Sequence, residues 1–242
     1  MVESRLQAQP VGPVTAGSMG SIELLGRAIH RVRNLLMSVR GYAELISMAE
    51  SADPDHRRWA TRIVEQVDRL EALQARVDGA MREEPQSGVH SMAMIARSAV
   101  QRSEQRLKDQ ASEVEVIVEV VEDLIVEADG EDLAEAIAAL LDNAREAAVE
   151  NGSAPVELSL RSEADGGWVL QVTDSGPGLQ ASDRTRLGEA FFTRKAGHLG
   201  LGLFLSQTLL ERHGMQLELD RSNNDRTVAS IRERRMPAGG IR

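Results

Sequence analysis

The sequence predicts an α+β protein in two parts: an N-terminal antiparallel helical hairpin that forms a four-helix bundle by dimerisation, and then an α/β sandwich. Two observations carry this prediction. Apolar residues between Ile22 and Ile46 recur at gaps of three and four, the spacing of a helix that packs along a seam. Beyond about residue 90 the pattern becomes mixed, with short alternating segments around a long alanine-rich helix.

The composition excludes several classes of protein. Hydrophobic residues make up 42% of the 242 residues and aromatic residues only 2%, which indicates a packed, aliphatic core. The net charge is −10, so we expect no binding to nucleic acid, which needs a basic surface. The sequence has no cysteine, which excludes disulfides, thiolate metal sites and a cysteine nucleophile.

The sequence also predicts a cytoplasmic protein with no insertion into a membrane. No apolar run approaches the roughly 18 residues that a membrane helix needs. The N-terminus lacks the basic-then-apolar order of a signal peptide. Since no sensor domain is recognisable, we expect the input signal to come from a separate sensor partner, from the short N-terminus, or from a region of the protein outside this sequence.

The N-terminal part begins after residues 1–18, which are rich in Pro, Gly, Ser and Thr and are predicted to be a flexible tail. The hairpin is predicted over residues 19–83, with a break before Pro54 and a second helix of the same apolar spacing after it. One hairpin cannot bury two apolar faces alone. A homodimer is therefore the economical arrangement.

The C-terminal part follows a predicted linker at residues 84–89 and occupies residues 90–235, with a tail at 236–242. Its predicted elements are a helix from Met92 to Leu107, strands from Val114 to Val120 and Leu124 to Glu127, a helix from Glu131 to Val149, strands from Val156 to Leu160 and Trp168 to Val172, a helix ending at Arg212, and strands from Gln216 to Leu219 and Thr227 to Ile231.

A histidine at the flank of the first helix is the first candidate for chemistry. His30 lies in the segment HRVRNLL, and a neutral imidazole is a competent nucleophile. No acidic residue occurs between Leu24 and Ala43. The arginines of this segment can attract a phosphate, or they can pair with acidic residues of the second helix; the arginines are Arg27, Arg31, Arg33 and Arg40, and the acids are Glu65, Asp68 and Glu71.

Two further motifs suit the binding of a nucleotide. Asn143 lies in LLDNA on the alanine-rich helix, where a carboxamide oxygen can bind Mg²⁺. Asp174 opens DSGPGL directly after a strand, where it can accept a hydrogen bond from an exocyclic amine such as that of adenine. Gly176 and Gly178 allow the backbone to turn there and approach a ligand. Taken singly, each motif also fits an ordinary helix or turn.

The fourth motif combines positive charge with glycine. FFTRK supplies Arg194 and Lys195, and Gly200 and Gly202 of GHLGLGL open a helix. The backbone N–H groups at a helix N-terminus form a site suited to phosphates. A flexible surface loop is the alternative interpretation.

These motifs in this order resemble the catalytic core of two-component sensor histidine kinases. HRVRNLL is similar to the H box, most of all to the H-R-V-K-N subgroup. LLDNA resembles the N box, DSGPGL and GLGL the two glycine boxes, and FFTRK the F box. The resemblance spans about residues 20–232. It implies that the sandwich has the Bergerat (GHKL) fold shared with type II topoisomerases, mismatch-repair ATPases and heat-shock chaperones.

The resemblance implies autophosphorylation of His30 with ATP and Mg²⁺, and then transfer to an aspartate of a response-regulator receiver. Asn34, one turn beyond His30, implies a phosphatase activity as well. Asn143 is the implied metal ligand, and Lys195 or Arg194 the implied contact to the γ-phosphate. The implied ATP-binding residues are Asn143, Asp174, Gly176, Gly178, Thr193, Lys195, Gly200, Leu201 and Gly202.

Four positions depart from the family pattern, and one of them is Leu35, which stands five residues after the histidine where a proline is common. Arg31 follows the histidine where many members have an acidic general base, so the proton must go to solvent or to a group on the ATP domain. Ala139 replaces the usual first asparagine of the N box, and Glu146 replaces a common lysine or arginine. These departures leave open a catalytically impaired phosphotransfer or scaffold protein of the same fold.

A GHKL-type ATPase is the second alternative. In the ATP-hydrolysing relatives the position of Ala139 is a glutamate that activates water. An alanine cannot act as a base, and this favours transfer to a protein nucleophile over hydrolysis.

Overall fold

The computed structural model describes residues 37–49, 53–80, 84–107, 113–164, 166–179, 186–195, 200–221 and 226–234. The chain divides into two compact units, whose described parts lie within residues 37–84 and 85–234. Several predictions fall outside the described residues: both tails, His30, Asn34, and the arginines Arg27, Arg31 and Arg33.

The first unit is an antiparallel helical hairpin. The described part of its first helix, α1, is residues 37–48, and the second helix, α2, is Pro54–Ala80. Next to the turn, the guanidinium of Arg57 donates a hydrogen bond to the carbonyl oxygen of Ala49. Pro54 begins α2 because its fixed φ suits a first helical turn. The predicted hairpin and its break are therefore confirmed.

An ion-pair cluster joins the two helices further from the turn. Nη1 of Arg40 lies 3.0 Å from Oδ1 of Asp68 and 2.9 Å from Oε2 of Glu71. These two pairs confirm, for Arg40, the predicted pairing with the second helix. Such partly exposed pairs contribute about 0.2–1 kcal/mol each, so they fix the register of the hairpin more than its stability.

The second unit contains three helices and seven strands among its described residues. In chain order these are β1 (Gly88–Ser91), α3 (Met92–Arg106), β2 (Val116–Val120), β3 (Ile125–Ala128), α4 (Gly130–Val149), β4 (Val156–Ser162), β5 (Trp168–Asp174), α5 (Gly202–Arg212), β6 (Met215–Arg221) and β7 (Thr227–Glu233). All the predicted helices and strands of this part are confirmed within a few residues.

A five-stranded sheet forms one layer of this unit, in the order β2-β4-β5-β7-β6. The pair β2–β4 is parallel, and the other pairs are antiparallel. Helix α4 packs against α3, α5 and β5, so it is the central helix of the other layer. Large aliphatic side chains fill the space between the layers, including Leu133, Ile137 and Leu141 of α4 and Leu158 and Leu170 of the sheet. The predicted α/β sandwich is confirmed.

The structure differs from the predicted linker at its end. Gly88 and Val89 belong to strand β1, which pairs antiparallel with β3 in a separate two-stranded sheet. Gln86, two residues before β1, is also held in place, because its N–H donates to Oδ2 of Asp129 at 2.8 Å. A strand of only four residues, with Pro85 shortly before it, is too short to show an alternating pattern. Its partner β3 lies far along the chain, so no local signal indicates the pairing.

No helix in the described ranges is long and apolar enough to cross a membrane.

Asp129 is expected to control the stability of the sandwich. Its buried side chain caps α4 by accepting from the N–H groups of Glu131 and Asp132 and also accepts from Gln86. Asp129→Ala leaves these donors unsatisfied and should lower the free energy of unfolding by about 1–3 kcal/mol.

The measurement is urea unfolding followed by tryptophan fluorescence. A Trp59→Phe background leaves Trp168 of β5 as the reporter, since the chain has two tryptophans. Asp129→Asn is the intermediate control: its amide oxygen can keep the N-cap of α4, but its amide nitrogen cannot accept from Gln86, so its stability should lie between those of the wild type and the alanine variant. Equal stability of the alanine variant and the parent would contradict the assignment.

Candidate functional site

A buried carboxylate marks the end of the central strand β5. Asp174 is 7% exposed, and its Oδ1 accepts a hydrogen bond of 2.8 Å from the N–H of Gly176. The hydroxyl of Thr227, its cross-strand partner on β7, also donates to it. The carboxylate thus has fixed orientation and can still accept a further hydrogen bond from a ligand.

Burial raises the pKa of the Asp174 carboxyl above its usual range. The hydrogen bonds from Gly176 and Thr227 and the positive charges of Lys195 and Arg226 oppose this shift. A carboxylate of this kind is unfavourable for stability when it is ionised, and it is typical of a functional site.

The turn after Asp174 lies directly against the last turns of α4. A Cβ atom on Gly176 would stand 2.6 Å from Cβ of Ala147, so only glycine fits at this point. Nearby, Nδ2 of Asn151 donates to the carbonyl oxygen of Ser175 at 2.6 Å. These two contacts fix the first glycine turn on α4, and Gly178 follows with a φ of +78°.

The F box lies against the second glycine box through the backbone. The N–H of Phe191 donates to the carbonyl oxygen of Gly200 at 3.0 Å. Gly200 has a φ of +65°, and a Cβ atom there would stand 2.6 Å from the carbonyl oxygen of Phe192. Phe191 itself has a φ of +68°, which is strained for a non-glycine residue. The contact therefore holds both segments in a defined conformation.

The N-terminus of α5 follows this contact and offers free donors. The helix begins at Gly202, and Leu201 precedes it without a side-chain hydrogen bond to the first turn. Helix N-terminal N–H groups and the helix dipole favour an anion at such a position. Ser206 fixes α5 to α4 by donating to the carbonyl oxygens of Ala136 and Gly202.

Lys195 reaches from the F box to α4. Its Nζ lies 2.7 Å from Oε2 of Glu146 and donates to the carbonyl oxygen of Asn143 at 3.3 Å. The N–H of Lys195 also donates to Oγ1 of Thr193, which shapes the loop locally. The structure thus brings the N box and the F box together.

The donor set fits a nucleotide with a hard cation on its phosphates. The buried acceptor of Asp174 suits an adenine amine, while Lys195 and the start of α5 suit phosphates. No group of three or more acidic or histidine side chains among the described residues could hold a metal. A cation near Asn143 would therefore need phosphate oxygens as further ligands, which is the usual arrangement for Mg²⁺.

Three contributors to this site were missed by the sequence analysis. Thr227 reaches it from the start of β7 and Arg226 from the residue just before β7, a strand that lies beside β5 only through the sheet topology. Asn151 supports the glycine turn from beyond the end of α4. For Thr227, the only signal in the sequence was its place as the polar first residue of the last predicted strand.

Comparisons with known proteins agree with this geometry. Residues 128–235 match the family described as "Histidine kinase-, DNA gyrase B-, and HSP90-like ATPase". The signal transduction histidine-protein kinase AtoS of Escherichia coli strain K12 is 26% identical over 194 residues, which cover 79% of this chain and 31% of that protein. Sporulation kinase B of Bacillus subtilis strain 168 is 24% identical over 217 residues, which cover 87% of this chain and 49% of that protein.

Solved structures have the same fold. The mycobacterial sensor histidine kinase MprB aligns with a TM-score of 0.53 and 26% identity, over 61% of this chain and 96% of that one. Full-length ShkA, solved in complex with AMPPNP, aligns with a TM-score of 0.67 and 21% identity, over 90% of this chain and 46% of that one.

Residues 128–235 therefore match an ATPase family that includes histidine kinases, DNA gyrase B and HSP90, and the fold and the site agree with that match. Over most of its length the chain is similar to sensor histidine kinases. It spans less than half the length of the two curated relatives above. The assignment of the predicted subgroup of the H box stays a prediction.

The variant Asp174→Asn tests the contribution of Asp174 to nucleotide binding apart from its contribution to stability. The variant should weaken the binding of ATP by about 10- to 100-fold, the effect of losing a hydrogen bond to a charged group. Calorimetry with a non-hydrolysable ATP analogue measures this change. Unaltered affinity would exclude Asp174 as the adenine acceptor.

The stability of the same variant should depend on pH in one direction. The pKa of Asp174 is raised in the folded protein. Its favourable contribution to the free energy of unfolding is therefore fully present below the ordinary pKa of 3.8 and is lost as the pH rises through the folded pKa. Asp174→Asn does not ionise, so its stability relative to wild type should increase over that rise. Urea unfolding at a series of pH values tests this, and a difference that does not vary with pH would contradict it.

Proposed function

We propose that this chain phosphorylates its own His30 with ATP and Mg²⁺ and transfers the phosphoryl group to an aspartate of a response-regulator receiver domain. The observation that carries the proposal is the buried Asp174 at the end of β5, on which the positive charge of Lys195 acts, together with the start of α5 that follows the contact between Phe191 and Gly200. This arrangement supports an adenine at one end of the site and phosphates at the other. The histidine kinase relatives support His30 as the acceptor.

Each chain residue has a simple task in this reaction. Asp174 orients the nucleotide, and Asn143 holds the Mg²⁺, which neutralises phosphate charge when bound. A ring nitrogen of His30 forms a bond to the terminal phosphorus as the bond between that phosphorus and the bridging oxygen of ADP breaks. Phosphoryl transfer of this kind depends on positioning and charge neutralisation, and the site supplies both.

Replacement of His30 is the direct test. With γ-labelled ATP, wild-type protein should acquire a label that acid removes and alkali does not, which is the behaviour of a phosphoramidate. His30→Gln should acquire none. His56→Gln, on α2, is the matched control and should be labelled like the wild type.

Two results would contradict the proposal. Binding of Mg-ATP without any label would favour the catalytically impaired phosphotransfer or scaffold protein. Steady phosphate release that His30→Gln leaves unchanged would favour the GHKL-type ATPase.

Loss of receiver dephosphorylation in Asn34→Ala would support the phosphatase activity.

The hairpin supports a homodimer as the working unit. In the single hairpin Ala43, Val67 and Val77 are buried, whereas Val39 and Ile46 of the same predicted seam remain 43% and 44% exposed. Two of the three described seam residues of the first helix are therefore left partly uncovered in one chain. A second copy of the hairpin would bury it in a four-helix bundle.

Ile46→Glu should shift the protein from dimer to monomer, because the bundle would have to bury an unpaired charge. We expect a dimer dissociation constant raised at least about tenfold, measured by sedimentation equilibrium. Met48→Glu is the control, since Met48 is 80% exposed and its position is rotated by about 200° around α1. Equal dissociation of both variants would argue against this seam.

A further inference from the structure

The ion pair between Glu146 and Lys195 has a position that no role described so far explains. Lys195 is the last residue of the F box, and Glu146 lies three residues after Asn143, on the same face of α4. Their charged atoms are 2.7 Å apart. The pair therefore connects the loop beside the second glycine box with the helix that bears the proposed metal ligand.

The pair is partly shielded from water. The side chains of Lys195 and Glu146 are 30% and 23% exposed. Charges in such a position interact more strongly than fully hydrated ones, although still at modest energies. The additional hydrogen bond from Nζ to the carbonyl oxygen of Asn143 keeps the ammonium group on α4.

Lys195 is also within electrostatic reach of the nucleotide site. Its charge lowers the pKa of Asp174 against the effect of burial. The backbone around it is held by the Phe191 contact to Gly200 and by Thr193. Only the side chain of Lys195 needs to move in order to exchange one anionic partner for another.

We propose that Glu146 is a positioning residue that holds Lys195 on α4 in the nucleotide-free protein and competes with nucleotide phosphates for it. Glu146 thereby reduces the preference of the site for a nucleoside triphosphate over adenosine. This inference rests on the proposed function, because it takes the site around Asp174 as a nucleotide site. It also explains how a glutamate is tolerated beside phosphates: in the resting site its charge is neutralised by Lys195.

The test compares the affinities of the full chain for adenosine, ADP and a non-hydrolysable ATP analogue, measured by calorimetry. Glu146→Gln releases Lys195 and should tighten binding of the ATP analogue by about threefold, the size expected for a partly exposed pair. Its affinity for adenosine should not change. Glu150→Gln is the matched control, because it removes the same charge at the exposed C-terminal end of α4 and should change neither affinity.

A double-mutant cycle identifies Lys195 as the cause. In a Lys195→Gln background, Glu146→Gln should tighten binding of the ATP analogue clearly less than it does in the wild type. An equal gain in both backgrounds would mean that Glu146 acts on the phosphates directly, and the inference would be wrong.

Three other outcomes separate this inference from the proposed function. If Glu146→Gln weakens the binding of the ATP analogue, and only when Mg²⁺ is present, Glu146 is a metal ligand beside Asn143 and the inference is overturned. If the wild type binds neither adenosine, nor ADP, nor the ATP analogue, the proposed function itself fails. Normal nucleotide binding with no effect of Glu146→Gln overturns this inference alone.

Discussion

The close approach of the first glycine turn to α4 is the constraint on which the site depends. Gly176 and Ala147 are in contact where no larger pair would fit, and Asn151 fixes the same turn through Ser175. This contact places Asp174 beside the helix that carries Asn143. A small residue at position 147 of α4 is therefore required for geometric reasons, since a bulky side chain there would separate Asp174, the proposed adenine acceptor, from Asn143, the proposed metal ligand.

Charge is arranged around this contact so that a buried carboxylate is tolerated. Asp174 loses hydration on folding, and it regains part of that energy from an N–H group, a hydroxyl and two nearby cations. One of those cations, Lys195, is itself neutralised by Glu146. Asp174 and Glu146 thus share the positive charge of Lys195, and a polyanionic ligand would compete with both carboxylates for it.

The sequence predicts the elements and most of the site because their signals are local. The periodic helices and alternating strands appear as expected, and the order of the motifs indicates that Asn143, Asp174 and Gly200 share one site. Thr227 could not be assigned, because it lies beside Asp174 through a pairing of β5 with β7 that bypasses the nearer β6. The partner of Lys195 is 49 residues away in sequence, and no spacing rule connects the two.

Strand β1 also determines how the ATP-binding domain can be separated from the hairpin for study. A fragment that starts at His90 would lack Gly88 and Val89, which are half of β1. It would leave Glu127 and Ala128 of β3 without their strand partners, at an edge prone to self-association. It would also remove Gln86 from the cap of α4. A fragment that begins at Pro85 keeps both strand β1 and the hydrogen bond from Gln86, so the ATP-binding domain is best cut from the chain just before Pro85.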